Sequence, residues 1–203
     1  FFAFLGSDDS FLSLVATADV TDMAALRGRS VSVDAATTGY AFVLFDLLNQ
    51  AGLDSSDYGV DKVGGMAQRF DDLCRQNHAA TMLSSPYDIL AEQRGLRVLA
   101  RVDKPYQGNV AAARRDWAGD HADVLMAYAC AYLGALEWLH DPANRGAACA
   151  ILEGAIGGMT PELAAASYTR MLEQTGGFSR TGRIDEASAR TVLDLRSRYG
   201  PGG

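Results

Sequence analysis

Cysteine is scarce in this sequence: three residues, at 74, 130 and 149, and none in a C-x-x-C pair. Neither a zinc knuckle nor a dithiol redox motif is encoded, an odd count leaves at least one thiol free, and three apolar cysteines buried on helices are expected. Histidine is equally sparse. His78, His121 and His140 lack the spacing of a metal-binding triad, so helix ends and surfaces are their expected places and no metal site is expected. Basic charge is short too, 18 Lys and Arg against 25 Asp and Glu, a net charge of -7. A nucleic-acid surface needs concentrated positive charge, so no nucleic-acid partner is expected. The longest apolar stretches are broken by charge or fall short of the roughly 20 residues of a bilayer span, so no membrane helix is expected. The opening FFAFLG has no basic segment ahead of it and no long apolar run behind it, and does not read as a signal peptide. G-x-S-x-G, H-E-x-x-H, Walker and G-x-G-x-x-G motifs are all missing, which points away from an enzyme and from a bound cofactor.

What is present is enough apolar material for a core: 48% of 203 residues, with 21% charged, which suits one large or two small globular domains. Residues 30–102 alternate between strand and helix patterns. SVSVD (30–34) alternates as a strand does, and Ala41, Leu44, Phe45 and Leu48 then fall on one helical face before Gly52 stops the helix. A short strand at 59–63 follows, then a helix from about residue 65 to 77 with Met66, Phe70, Leu73 and Cys74 on one side, then AATML (79–83). Ser85 can cap a third helix with Pro86 at its first position and Gly95 beyond its end, and Leu96–Val102 reads as another strand. Four strands alternating with three helices predict a parallel sheet with right-handed crossovers, an α/β domain.

The flanks differ. Leu12–Thr17 and Asn109–Arg114 are extended and apolar and read as a pair of crossover strands paired with each other. From His121 onward the pattern is helical: Val124–Leu139, Ala143–Ile156, Pro161–Gln174 capped by Thr160, and Asp185–Tyr199. Val124–Leu139 is apolar nearly all round and demands burial on several sides, more than one small sheet provides, so part of its partner surface is expected to lie outside this sequence.

In an open parallel sheet, ligands bind beyond the carboxyl ends of the strands. There the sequence places Thr37, Thr38, Gly39 and Tyr40 after the first strand, Gly64 and Gly65 after the second, and Ser84, Ser85 and Tyr87 after the third. Each run opens a helix, whose free N–H groups favour an anion or a polar ring edge. The threonines add hydroxyls, the glycines allow close approach, and the tyrosines offer walls. Any one such run alone is an ordinary cap. Tyr106 and Gln107, before flexible Gly108, and Ser10, beside Asp8 and Asp9, complete the candidate set, although a plain turn and a solvated acidic loop account for them as well. Asp71 and Asp72 read as a solvated helix face.

Leu26-Arg27-Gly28-Arg29-Ser30-Val31 running into Val33-Asp34-Ala35 and Thr38-Gly39-Tyr40-Ala41 resembles the strand start and post-strand loop of bacterial ABC-transporter solute-binding proteins of the NMT1/THI5-like group, relatives of sulfonate, taurine and pyrimidine binders. Val63-Gly64-Gly65 with Arg69-Phe70-Asp71-Asp72-Leu73, Leu83–Asp88, Pro105–Gly108, Trp138–Arg145 and Gly182–Asp185 extend the resemblance over residues 10–199. It implies a type II periplasmic-binding-protein-like fold: a parallel-type sheet domain, hinge strands, and a helical C-terminal region belonging to a partial second lobe. Residues 1–18 would be a remnant of lobe one with the first crossover strand, 19–104 lobe two, and 105–203 the second crossover strand with helices packing on lobe one. It also implies further N-terminal residues of lobe one that this sequence does not contain.

Implied too is a small anionic, zwitterionic or pyrimidine-like ligand closed between lobes, with Ser10 on the first lobe and the other candidates on the second lobe and hinge. The partner would be a membrane ABC permease, the protein a monomer, and its place the periplasm or a lipid anchor outside the cell. Two other functions share the fold: a ligand-sensing effector domain, and a pyrimidine-synthesis-type enzyme using cysteine and histidine.

Overall fold

The structure is a computed structural model, and it describes residues 1–102, 104–173 and 176–201. The chain forms two compact units, one of Leu12–Val102 with Val192–Gly203, the other of Phe1–Phe11 with Asp103–Thr191.

The first is a five-stranded sheet unit. In chain order it holds β2 (Ser13–Ala16), β3 (Ser30–Val33), α1 (Gly39–Gln50), β4 (Gly59–Lys62), α2 (Met66–Cys74), β5 (Ala80–Leu83), α3 (Tyr87–Gln93) and β6 (Arg97–Arg101). The strands lie in the order β4-β3-β5-β2-β6. The predicted β-α alternation is present, and β3 pairs in parallel with both β4 and β5. The helices stop where the glycines predict: Gly52 and Gly95 take φ of +79° and +77°, conformations that cost other residues a steric clash.

One expectation fails. β2 does not pair with 109–113 but enters this sheet antiparallel between β5 and β6, with Ser13 opposite Leu83 and Arg101. All four of its residues are buried, so both of its edges and both of its faces need partners, which a two-stranded ribbon cannot supply. Leu14, Val15, Val31, Leu44, Leu48, Leu73, Met82 and Leu83 are sealed from solvent around it, each side chain contributing about 1.5–3 kcal/mol of transfer free energy.

The second unit carries β1 (Phe2–Asp8), which the sequence pattern did not mark, paired antiparallel with β7 (Asn109–Ala113) from Phe2 opposite Ala113 to Asp8 opposite Asn109. Its helices are α4 (Arg115–Asp120), also unmarked, α5 (Ala122–His140), α6 (Arg145–Ala155), α7 (Pro161–Met171) and the start of α8 (Glu186–Tyr199). Thr160 caps α7 by accepting from Leu163 N, as predicted; the predicted end of that helix, Gln174, lies outside the described residues.

Burial around α5 departs from expectation. Of its 19 residues only Leu136 is buried, while Val124, Met126, Tyr128 and Trp138 are exposed. By length and composition α5 is apolar enough to cross a membrane, contrary to the expectation that no segment is, because its acids sit only near its ends. The cysteines are all helical but none is buried: Cys130 lies on the bare side of α5 and is exposed, and Cys74 and Cys149 are half-buried. Asp8, expected in a solvated loop, is buried at the end of β1.

Candidate functional site

Because β4, β3 and β5 are parallel neighbours, their carboxyl ends, Lys62, Val33 and Leu83, share one edge of the sheet. Nine of the twelve predicted residues occupy the turns and helix starts at that edge: Thr37, Thr38, Gly39 and Tyr40 after β3, Gly64 and Gly65 after β4, and Ser84, Ser85 and Tyr87 after β5.

Each turn is held by local bonds. The Thr38 hydroxyl donates to Asp34 Oδ1 at 2.7 Å and accepts from Ala41 N, which caps α1 and leaves the exposed Thr37 as the outer hydroxyl of the loop. Gly64 has φ +108°, and a Cβ there would come within 2.4 Å of Gln68 Oε1, so the turn accepts only glycine. That same oxygen accepts from Gly65 N at 2.7 Å. After β5, Ser84 donates through both its amide and its hydroxyl to Met66 Sδ. Ser85 does not cap α3 as predicted; the N-cap is Pro86, and the Ser85 hydroxyl instead donates to Asp88 Oδ1 at 2.9 Å. Buried Asp88 is thereby fixed, and its other oxygen accepts from Ser13 at the start of β2. The Tyr87 ring packs against Phe70 with 5.3 Å between centroids.

One residue at this edge has no counterpart among the predicted ones. Arg69, only 3% exposed, projects from α2 and donates from Nε to Gly64 O at 3.1 Å, and from Nη1 to Met82 O at 2.7 Å and Thr81 Oγ1 at 3.3 Å. It thus ties the turn after β4 to the end of β5. Burial holds its pKa below the usual arginine value, against the opposing fields of Asp34 and Tyr40. A charged residue on an amphipathic helix reads as solvent-facing, and nothing in its spacing marks it otherwise.

Ser10, Tyr106 and Gln107 belong to the other unit, where they form a tight corner. Ser10 has φ +72° and a buried hydroxyl with no hydrogen-bond partner among the described residues. Its amide donates to Asp8 Oδ1 at 3.0 Å, and Asn109 Nδ2 donates to Asp8 Oδ2 at 3.0 Å. Gln107 Nε2 donates to the carbonyls of Asp8 and Asn109. Tyr106 is buried beside it. Gly108 is obligatory for a steric reason: a Cβ there would strike Asp8 Oδ1 at 1.9 Å.

The cysteine and histidine that an enzymatic reading would need stand elsewhere. Cys74, the last residue of α2, accepts from Arg94 Nη1, and His78, in the turn leading into β5, is held by Asp72 and by Asp61. Asp72, expected on a solvated face, is accordingly half-buried. Among the described residues no group of histidine, cysteine, aspartate and glutamate is placed to hold a metal.

No protein-family model matches the chain, and no curated protein matches it. Solved structures do match. The alkanesulfonate-binding protein SsuA from Xanthomonas axonopodis pv. citri, bound to MOPS, aligns with a TM-score of 0.76 at 14% identity, over 98% of this chain and 70% of that chain. The periplasmic aliphatic sulphonate binding protein SsuA from Escherichia coli gives 0.76 at 17% identity, over 97% of this chain and 63% of that one. The periplasmic nitrate-binding protein NrtA from Synechocystis PCC 6803 gives 0.73 at 13% identity, over 97% and 60%. The chain thus spans between 60% and 70% of the length of these structures. Its fold is that of the periplasmic binding proteins.

Proposed function

We propose that the chain is a solute-binding component of an ABC importer, holding a small anionic, zwitterionic or pyrimidine-like molecule without transforming it. The observation that carries this reading is the convergence of three post-strand turns, 34–38, 63–65 and 84–86, on the carboxyl edge of adjacent parallel strands, where open α/β sheets bind their ligands. The solved structures of like fold that bind sulfonate and nitrate support it. Thr37, Thr38, Gly39, Tyr40, Gly64, Gly65, Ser84, Ser85 and Tyr87 would form the solute site of the sheet unit, and Ser10, Tyr106 and Gln107 are proposed as further solute contacts. A membrane permease would take the solute, and the protein would work as a monomer in the periplasm or on a lipid anchor outside the cell.

Calorimetry and thermal-shift measurements with ethanesulfonate, taurine, nitrate, propionate and thymine test this. We expect at least one to bind with one-to-one stoichiometry, to stabilise the fold by about 2.7 kcal/mol at a hundredfold excess over Kd, and to be recovered unchanged. Silence across the whole panel, or turnover of a bound compound, overturns it.

A further inference from the structure

Arg69 carries its charge into the sheet unit without a carboxylate in contact. Its three hydrogen-bond acceptors, Gly64 O, Met82 O and Thr81 Oγ1, are all neutral. The guanidinium has five N–H donors. Nη2 has no acceptor among the described residues, and it is not among the buried side-chain atoms closed off from solvent. The acid whose field reaches it, Asp34, is occupied by the Thr38 hydroxyl and makes no ion pair with it. A buried charge with no ion-pair partner is costly to hold even in the field of a nearby acid, and a fold retains one where something else completes it. Of the residues that grip Arg69, Gly64 belongs to the turn after β4 in the candidate site, while Thr81 and Met82 lie in β5 just before the turn that follows it.

We propose that Arg69 is the anion-selecting residue of the solute site, its spare Nη2 donors and unpaired charge receiving the monoanionic oxyanion head, sulfonate or carboxylate, of the solute. This rests on reading the carboxyl edge as the solute site and narrows the solute to an anion. Were Arg69 only a clamp between Gly64 and Met82, the solute's charge would not matter to it.

The test compares ethanesulfonate with its uncharged analogue ethyl methyl sulfone by calorimetry, on the full chain and on Arg69→Gln, Arg69→Lys and Asp34→Asn, with melting followed for each. The chain should prefer the sulfonate by at least about 100-fold, and Arg69→Gln should erase that preference, since charge-assisted bonds are the strong ones. Arg69→Lys keeps the charge but loses the planar fork, and should fall within about tenfold of the parent. Asp34→Asn keeps the oxygen that Thr38 uses while removing the competing negative field, and should tighten sulfonate binding about threefold. If Arg69→Gln fails to fold, Asp34→Asn decides: unchanged or weaker binding overturns the assignment. Equal affinity for sulfonate and sulfone overturns it as well. Binding of thymine with none of ethanesulfonate or propionate defeats this assignment and leaves the solute site standing, whereas silence to all of them removes both.

Discussion

Two helices of this chain carry comparable apolar loads and meet opposite fates. α1, in the sheet unit, buries six of its twelve residues, while α5, in the other unit, buries one of nineteen. α1 lies over strands whose own side chains are sealed, so its apolar stripe has a floor to rest on. α5 has Phe4 and Ala111–Ala113 beside its first half and Leu5, Gly182 and Tyr168 near Leu133, Leu136 and Leu139, yet Val124, Met126, Tyr128 and Trp138 stay exposed. The difference teaches that an apolar pattern states how much surface a helix must cover, not that the same chain supplies the cover.

The contrast is broken or sharpened first by truncating one side chain on each helix. Leu44 on α1 is fully sealed, and Leu44→Ala should cost about 2–5 kcal/mol through lost transfer energy plus an unfilled cavity. Met126 on α5 is 66% exposed, and Met126→Ala should change stability by less than about 0.5 kcal/mol. Hydrogen exchange resolved by segment measures both. Equal losses would show that α5 is covered in solution.

Acid should separate the two units next. In the unit of α5, burial first and then the charge of Arg180 hold the His140 imidazole below its ordinary value, with the backbone of Phe178 opposing. Both ring nitrogens are buried without a hydrogen bond of normal geometry among the described residues. The unfolded chain therefore takes up that proton more readily. The stability tied to neutral His140 is complete above the unfolded value of about 6.5 and is lost as pH falls through the lower folded value. In the sheet unit, burial pulls the Asp72 carboxyl upward, but hydrogen bonds from Asn77 and His78 outweigh it and hold the group below its ordinary value. Its contribution is present above the unfolded value of about 3.9 and disappears only as pH drops further. Asp9, raised by burial first and then by Asp185 and Asp8, works in the reverse sense within the α5 unit. Its contribution is full below the unfolded value of about 3.9 and is lost as pH rises through the raised folded value, which is why His140→Gln is needed to single out the histidine. Amides of α5 and α7 should therefore gain exchange between pH 7 and 5 while those of β3 and β5 do not, and His140→Gln should flatten that response. Simultaneous loosening of both units, or an unchanged profile in the variant, would contradict this account.

The same division marks what the sequence made legible. From β3 to β6 each element announces itself locally, by alternation in SVSV, by the four-residue spacing of Leu44 and Leu48, and by the glycines at 52 and 95. The turns at the carboxyl edge followed from strand direction alone. Pairing between distant segments did not: β1 finds its partner about a hundred residues later, and the four buried residues of β2 say that it is central without saying between which strands. Arg69 was hidden for a related reason. Its burial is decided by Gly64 and Met82, one before it and one after it, which only the folded sheet brings together.

The smallest expected effect bears on α5 most directly. Gly134 lies inside that helix, exposed, and a Cβ built on it meets nothing within 4 Å. Glycine in a helix interior costs about 0.5–1 kcal/mol relative to alanine because the unfolded chain is freer and no side chain shields the backbone. If the face around Gly134 is as open in solution as its surroundings imply, Gly134→Ala raises stability by about that amount in thermal and denaturant melts. A loss instead would mean that another surface packs against α5 closely enough to exclude a methyl group. Sedimentation of the parent chain at rising concentration would then show whether that surface belongs to a second copy.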